Sequence, residues 1–328
     1  MTTRIPTAED LVAALPAFAG YLREATLLRP TAGAPGSGDS SVGGPLLWPA
    51  DEPWPVCRQP HLVEVREKLS DEDRETWQRI DDAMRARHRE HPERAYEVTS
   101  EEAETQRRIM DGAGALDLIT WEKVRMAPDA SGPGVAMVPV VQLYARDLPG
   151  DDWHWPAGTD VLQMLWCPND HDDLPGQSGY YGPAVELRHR TAAEVTEVLL
   201  DPPHPDRTDD SYLPQPCVLG PVRVADLPDR DELPEELAEF GENWAEERGV
   251  EYHRNLACRE GWKVGGWPSW HLTDLVPVDC ASCGSTMRVL LTVDSCNDGP
   301  AINVGRFGEL RVFVCPTDLA HPFQLNIQ

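Results

Sequence analysis

Positive charge is scarce in this 328-residue chain: 29 Lys and Arg face 56 Asp and Glu, a formal net charge of −27. Such a surface repels phosphate backbones and anionic lipid, so nucleic-acid and membrane-surface partners are disfavoured. Solubility is the plain reading of this acidity; a basic protein partner is the sharper one and comes second. Lysine is nearly missing, with only Lys68, Lys123 and Lys263, and this arginine bias is what a GC-rich bacterial genome produces. No apolar run approaches membrane-spanning length, and the start M-T-T-R-I-P-T-A-E-D has no signal-peptide core, which places the protein in the cytoplasm. Cysteine is sparse as well. Eight residues spread over this length do not make a secreted disulfide framework, and in a reducing compartment a C-x-x-C motif means metal or redox chemistry. The chain carries no G-x-S-x-G, H-E-x-x-H, dinucleotide-binding or kinase signature. Its glycine-rich stretch from Pro30 to Ser41 lacks the Gly-Lys-Ser/Thr ending of a phosphate loop.

What is present is enough for a folded core, with 41% hydrophobic and 26% charged residues. The 31 prolines and 25 glycines favour many short elements. Thr7-Ala-Glu-Asp10 reads as a helix start running to about Pro16, and residues 21–28 read as a strand. From His61 to Met126 charge dominates. Leu62, Val65, Leu69, Trp77, Ile80 and Met84 recur at helical spacing, which predicts two or three inserted helices. His88 and His91 lie there among Arg and Glu, and a solvated face suits them better than a metal. Apolar strands are expected over 135–144, interrupted by Pro139 and Gln142, and over 161–166, 287–293 and 310–314. Thr191-Ala-Ala-Glu194 has the form of a capping box for a helix through Leu200. Leu237, Phe240 and Trp244 mark a helix over 233–248, closed by Gly249.

Two stretches repeat one punctuation. Gly43-Gly44 and Gly265-Gly266 each precede a Trp/Pro cluster, and Trp54-Pro-Val-Cys57 parallels Val276-Pro-Val-Asp-Cys280. Apolar strands from Met137 and Met287 follow. Gly158 and Gly308 then lead into strands ending in Cys167-Pro-x-Asp and Cys315-Pro-x-Asp, with His171 or His321 after them. The ordered landmarks predict an internal duplication, a first repeat over 1–228 with its insertion at about 61–126 and a second over 229–328, together in one compact body. Ser41-Val-Gly-Gly-Pro45, Val140-Val-Gln-Leu-Tyr144, Lys263-Val-Gly-Gly-Trp-Pro-Ser-Trp270 and the C-x-x-C-G through Cys315-Pro region resemble the YwqG-like family of bacterial proteins, a domain of unknown function. The resemblance implies an α+β fold with duplicated, mainly antiparallel sheets and peripheral helices. It departs from the family at His271, where many relatives have Gln. It carries no established reaction, and so no catalytic residues to transfer.

Cys280-Ala-Ser-Cys-Gly284 is the most specific chemical motif. Such a turn lets two thiolates hold one zinc while backbone amides donate to the sulfurs. Cys315 and His321 are the expected third and fourth ligands, with Cys296 in reserve, making a closed structural site. A reduced, metal-free turn is the plainer alternative. A redox pair suits the motif less, because nothing places Cys280 at a helix N-terminus. Cys57, His61, Cys167 and His171 repeat the theme in the first half as two C-x3-H pairs, although Cys167 could equally be a small core residue. Asp170 to Asp173 read as an Asp-rich turn. Trp48, Trp54, Trp153, Trp155, Trp262, Trp267 and Trp270 read as core and covering residues before a ligand groove. The reading that follows is a non-catalytic protein-binding or regulatory module, with any zinc structural. The alternative is an enzyme working between the repeats with His171 or His321 as acid–base.

Overall fold

The computed structural model describes residues 5–129, 132, 134–150, 155–172, 174–206, 208–270 and 275–328. His271, Trp153 and Asp173, singled out above, lie outside them. The chain divides into a larger unit, Met1–Gln59 with Pro133–Gln328, and a smaller one, Pro60–Gly132. The fold is α+β, with four antiparallel sheets among the described residues.

One six-stranded sheet of the larger unit holds β2 (Thr31–Ala32), β3 (Ser41–Val42), β9 (Val138–Tyr144), β10 (Val161–Asp172), β11 (Tyr181–Arg190) and β12 (Cys217–Val218), ordered β11-β10-β9-β3-β12-β2. The other holds β1 (Arg23–Leu27), β13 (Val222–Asp226), β14 (Lys263–Gly265), β15 (Arg288–Asp294), β16 (Glu309–Val314) and β17 (Gln324–Ile327), ordered β13-β1-β14-β15-β16-β17. The succession β3-β9-β10-β11 in one sheet runs as β14-β15-β16-β17 in the other. β1 and β13 come from the first 228 residues yet join this second sheet. A short pair, β4 (Val56–Cys57) with β8 (Val135–Ala136), brackets the chain where it leaves for the smaller unit and returns.

Both sheets feed one apolar core that includes Leu143, Leu162, Trp166, Leu291, Leu310 and Val312. The two interruptions within β9 have separate explanations. Pro139 sits where the register with β10 shifts between Met164 and Leu165, the kind of place where a residue without an N–H is tolerated in a ladder. Gln142 is fully buried but satisfied: its Oε1 accepts from Leu47 N at 2.7 Å and Gln163 Nε2 at 2.8 Å, and its Nε2 donates to the Ser37 carbonyl at 2.9 Å.

A second cluster joins α1 (Ala8–Ala14) to α4 (Glu235–Glu246) through Leu11, Phe18, Trp244 and Tyr252. α1 opens on the Thr7/Asp10 capping box. The helix expected from Thr191 to Leu200 is absent, and only a single 3-10 turn forms at Ala192–Glu194. The Thr191 hydroxyl donates to the Gly158 carbonyl at 2.7 Å and so makes no cap, and the β-branched Val195, Thr196 and Val198 resist helix.

The smaller unit corrects the reading of 61–69. His61–Lys68 is a strand, β5, in the sheet β5-β7-β6 with β6 (Ala115–Asp117) and β7 (Glu122–Asp129). The Leu62/Val63/Val65 sequence satisfies the strand preference of β-branched residues as well as a helical spacing, and pairing with β7 decides. Two charged helices follow as expected, α2 (Asp71–Glu90), capped by Ser70, and α3 (Ser100–Met110), opened by a Thr99/Glu102 capping box. Ile80 and Ile109 are their buried residues, and Arg87 holds Glu102 through both oxygens at 3.0 and 2.5 Å. Among the described residues, no helix is long and apolar enough to cross a membrane.

Candidate metal centre

The four residues expected to share an ion stand together. Cys280, Cys283, Cys315 and His321 place one ligand atom each within 4.8 Å of every other. The Cys283 and Cys315 sulfurs are 3.5 Å apart, and Cys280 Sγ is 3.4 Å from His321 Nδ1. A tetrahedral ion with Zn–S bonds of ~2.3 Å requires sulfur separations of about 3.8 Å, so small adjustments would seat it. The donor set of three thiols and one imidazole is the Cys₃His composition of structural zinc sites.

Local sequence builds this arrangement from two turns. The first lies between Val278 and Met287, where Met287 N donates to the Val278 carbonyl at 2.8 Å and Asp279 bridges Thr286. Cys280 N donates to the Ser285 carbonyl and Gly284 N to the Cys280 carbonyl, at 2.9 and 2.8 Å. Gly284 has φ +73°, the left-handed conformation that closes the turn without a Cβ penalty. The second turn follows β16, whose pairing with β15 sets Arg288 opposite Val314 and so brings Cys315 back beside the first. Cys280 and Cys315 are buried within a small cluster with Met287, Val289 and Phe313, whereas Cys283 is exposed.

Electrostatics favour thiolates at Cys315 and Cys283. Burial opposes ionisation of Cys315, but the amides of Asp318 and Thr317 and the neighbouring thiols outweigh it and bring the group down to about 7. The Ser285 hydroxyl and then its amide lower Cys283. Burial raises Cys280, although the amides of Ser282 and Cys283 point at its sulfur. Amides aimed at sulfurs and a carboxylate behind an imidazole are what orient metal ligands, and Asp318 Oδ2 lies 3.8 Å from His321 Nε2. Cys296, the reserve ligand, is elsewhere, bonded through its backbone to Ile302.

Three of the first-half candidates also meet within the larger unit: Cys57 on β4, Cys167 and His171 on β10. Cys57 Sγ is 3.7 Å from His171 Nε2, and all three are buried. The fourth candidate, His61, opens β5 of the smaller unit. Asp170 and Asp172 belong to β10 and form no turn, because the pairing with β11 continues through them after a register shift. Asp170 accepts from the Tyr212 hydroxyl at 2.6 Å. His88 and His91 join no ligand group; His88 Nδ1 bonds the Arg94 carbonyl at 2.9 Å and the ring stacks on Tyr96.

A third group escaped the sequence reading: Asp229, His253 and Cys258. No spacing announces it, since the residues come from a loop, a π turn and the segment after that turn. His253 Nδ1 is 3.2 Å from Asp229 Oδ2, which raises the histidine pKa and lowers that of the aspartate. The order Cys-His-Asp suggests a nucleophile, yet burial pushes the Cys258 thiol up and its sulfur donates to the Pro268 carbonyl at 3.2 Å. A nucleophilic cysteine needs the opposite shift.

The tryptophans cover more than they line. Trp48 and Trp262 are core residues, and Arg23 and Arg311 stack over Trp267 and Trp270. A cavity of about 470 Å³ beside Gly265–Trp267 is lined by Arg23, Glu24 and Arg288 among others, and neither His171 nor His321 borders it. A scan of the chain against protein-family models gives no match, and a search of curated proteins gives none either.

Proposed function

We propose that this chain is a non-catalytic protein-binding module whose C-terminal sheet is tied by a structural zinc ion at Cys280, Cys283, Cys315 and His321. One observation carries the reading: two separate turns converge four donor atoms to within 4.8 Å. Four protein ligands fill a tetrahedron and leave no position for a reacting water, so the ion would act on folding and not on a substrate. The partner reading rests on charge. The net charge is −27, and α4 turns Glu235, Glu236, Glu239 and Glu246 to solvent. Such a face suits a basic protein and speeds its encounter, and the same sign repels nucleic acid.

The enzyme reading has less support. His171 is fully buried among thiols, and His321 lies between Cys280 and Asp318, so neither presents a nitrogen to a substrate. We further infer membership of the YwqG-like family, a cytoplasmic location and an internal duplication. The shared strand succession of the two large sheets supports the last of them.

Hydrogen exchange on the zinc-loaded chain, before and after chelation, tests the metal's role. Chelation should first strip protection from residues 278–287 and 315–324, because binding energy in such sites is folding energy. Uniform loss of protection, or none, would contradict a local tether.

A further inference from the structure

We infer that the chain binds a second thiophilic divalent cation, zinc by its ligand chemistry, through Cys57, Cys167 and His171. The three donors come from two strands far apart in sequence. β4 supplies Cys57, and β10 supplies both Cys167 and His171. All three are buried, His171 and Cys167 completely. The 3.7 Å between Cys57 Sγ and His171 Nε2 compares with the roughly 3.6 Å that Zn–S and Zn–N bonds of ~2.3 and ~2.0–2.1 Å impose in a tetrahedron.

The backbone around these residues repeats the device seen at Cys315. In each case the cysteine is followed by a proline, which has no N–H, and the next amide turns to the sulfur. Asn169 donates to Cys167 as Thr317 does to Cys315, and the Gln59 amide serves Cys57. The Asn169 side chain adds a second donor at 3.7 Å. This turn is possible inside β10 because the ladder with β11 shifts register between Trp166 and Asp170. Without that irregularity, Cys167 and His171 would continue an even pleat. A core cysteine serving only as a small apolar residue requires none of these features.

Two sulfurs and an imidazole suit zinc better than hard, oxygen-seeking cations. Three ligands leave one tetrahedral position for a further donor. Both thiols release their protons as the ion enters. The ion would fasten β4, the strand from which the chain leaves for the smaller unit, to the longest strand of the first sheet.

The test counts metal in the full chain, expressed with zinc and measured by native mass spectrometry. Two ions per chain are expected. The C57S/C167S variant should lose one, and the C280S/C283S variant should lose the other. A single ion that C280S/C283S abolishes overturns this inference and leaves the proposed function standing. A single ion that survives in C280S/C283S and is lost in C57S/C167S does the reverse. A metal-free chain, or a Cys57–Cys167 disulfide in the unreduced protein, also overturns it. Should C57S/C167S fail to fold, cobalt loading of the unmutated chain decides. Sulfur-to-cobalt charge transfer corresponding to five thiolates supports the second site, and three overturn it.

Discussion

Lys263 and Asp226 show how single residues set this structure. In a chain with three lysines, Lys263 is buried, 3.2 Å from Asp226 Oδ2 and donating to the Trp267 carbonyl at 2.6 Å. The Trp267 amide reaches the same carboxylate oxygen at 2.8 Å. Gly266, at φ +75°, makes room for this, since a Cβ there would lie 2.4 Å from Asp226 Oδ2. Gly266→Ala should therefore cost at least about 2 kcal/mol, from the left-handed backbone and the displaced carboxylate together; urea unfolding checks it, and a neutral result would mean the pocket relaxes freely. Asp294 makes a pH prediction. Burial, and next the charge of Glu309, raise it to about 7 from an ordinary value near 3.8. Its proton is held more tightly in the folded chain than in the unfolded one. Stability from this group is present below about pH 3.8 and lost as pH rises to 7. Asp294→Asn should flatten the fall in stability across that window, and identical pH profiles for the two chains would contradict the burial argument.

At the level of elements, the sequence announced what local chemistry decides. The Thr7/Asp10 box and the left-handed Gly249 just past α4 were legible because capping and left-handed turns are short-range. The C-x-x-C-G turn was legible for the same reason, and Cys315 because neighbouring strands tend to pair. Residues 192–200 misled because the Thr191 hydroxyl bonds a residue 33 positions away. The strand at 61–68 misled because Leu62 and Val65 fit two periodicities and only the partner β7 chooses. Asp229, His253 and Cys258 could not be read at all, since tertiary folding alone gathers them. The smaller unit's hairpin yields a prediction. Lys68 pairs with Glu122, so residues 69–121 can be replaced by Asn-Gly, the two-residue turn that suits such a pair. The shortened chain should keep its metal content and the hydrogen-exchange protection of β9, β10, β15 and β16. Loss of protection there would show that α2 and α3 are needed for the larger unit to fold.

At the scale of the whole molecule, the larger unit has two six-stranded sheets feeding one core, with a Cys/His group along the end of β10 in one sheet and another just past β16 in the other. A core of this size does not need metal to exist. The proposed ion at Cys280 would instead tie the turn before β15 to the segment that follows β16. Cys283 offers the cleanest test, because it is exposed and its replacement disturbs no packing. The measurement is zinc affinity of the C283S chain against the unmutated one, in competition with a chelator. Loss of one bound ion per chain is predicted, with affinity falling by more than the ~10–100-fold that an outer-shell change costs. Unchanged zinc content and affinity in C283S would contradict the metal centre.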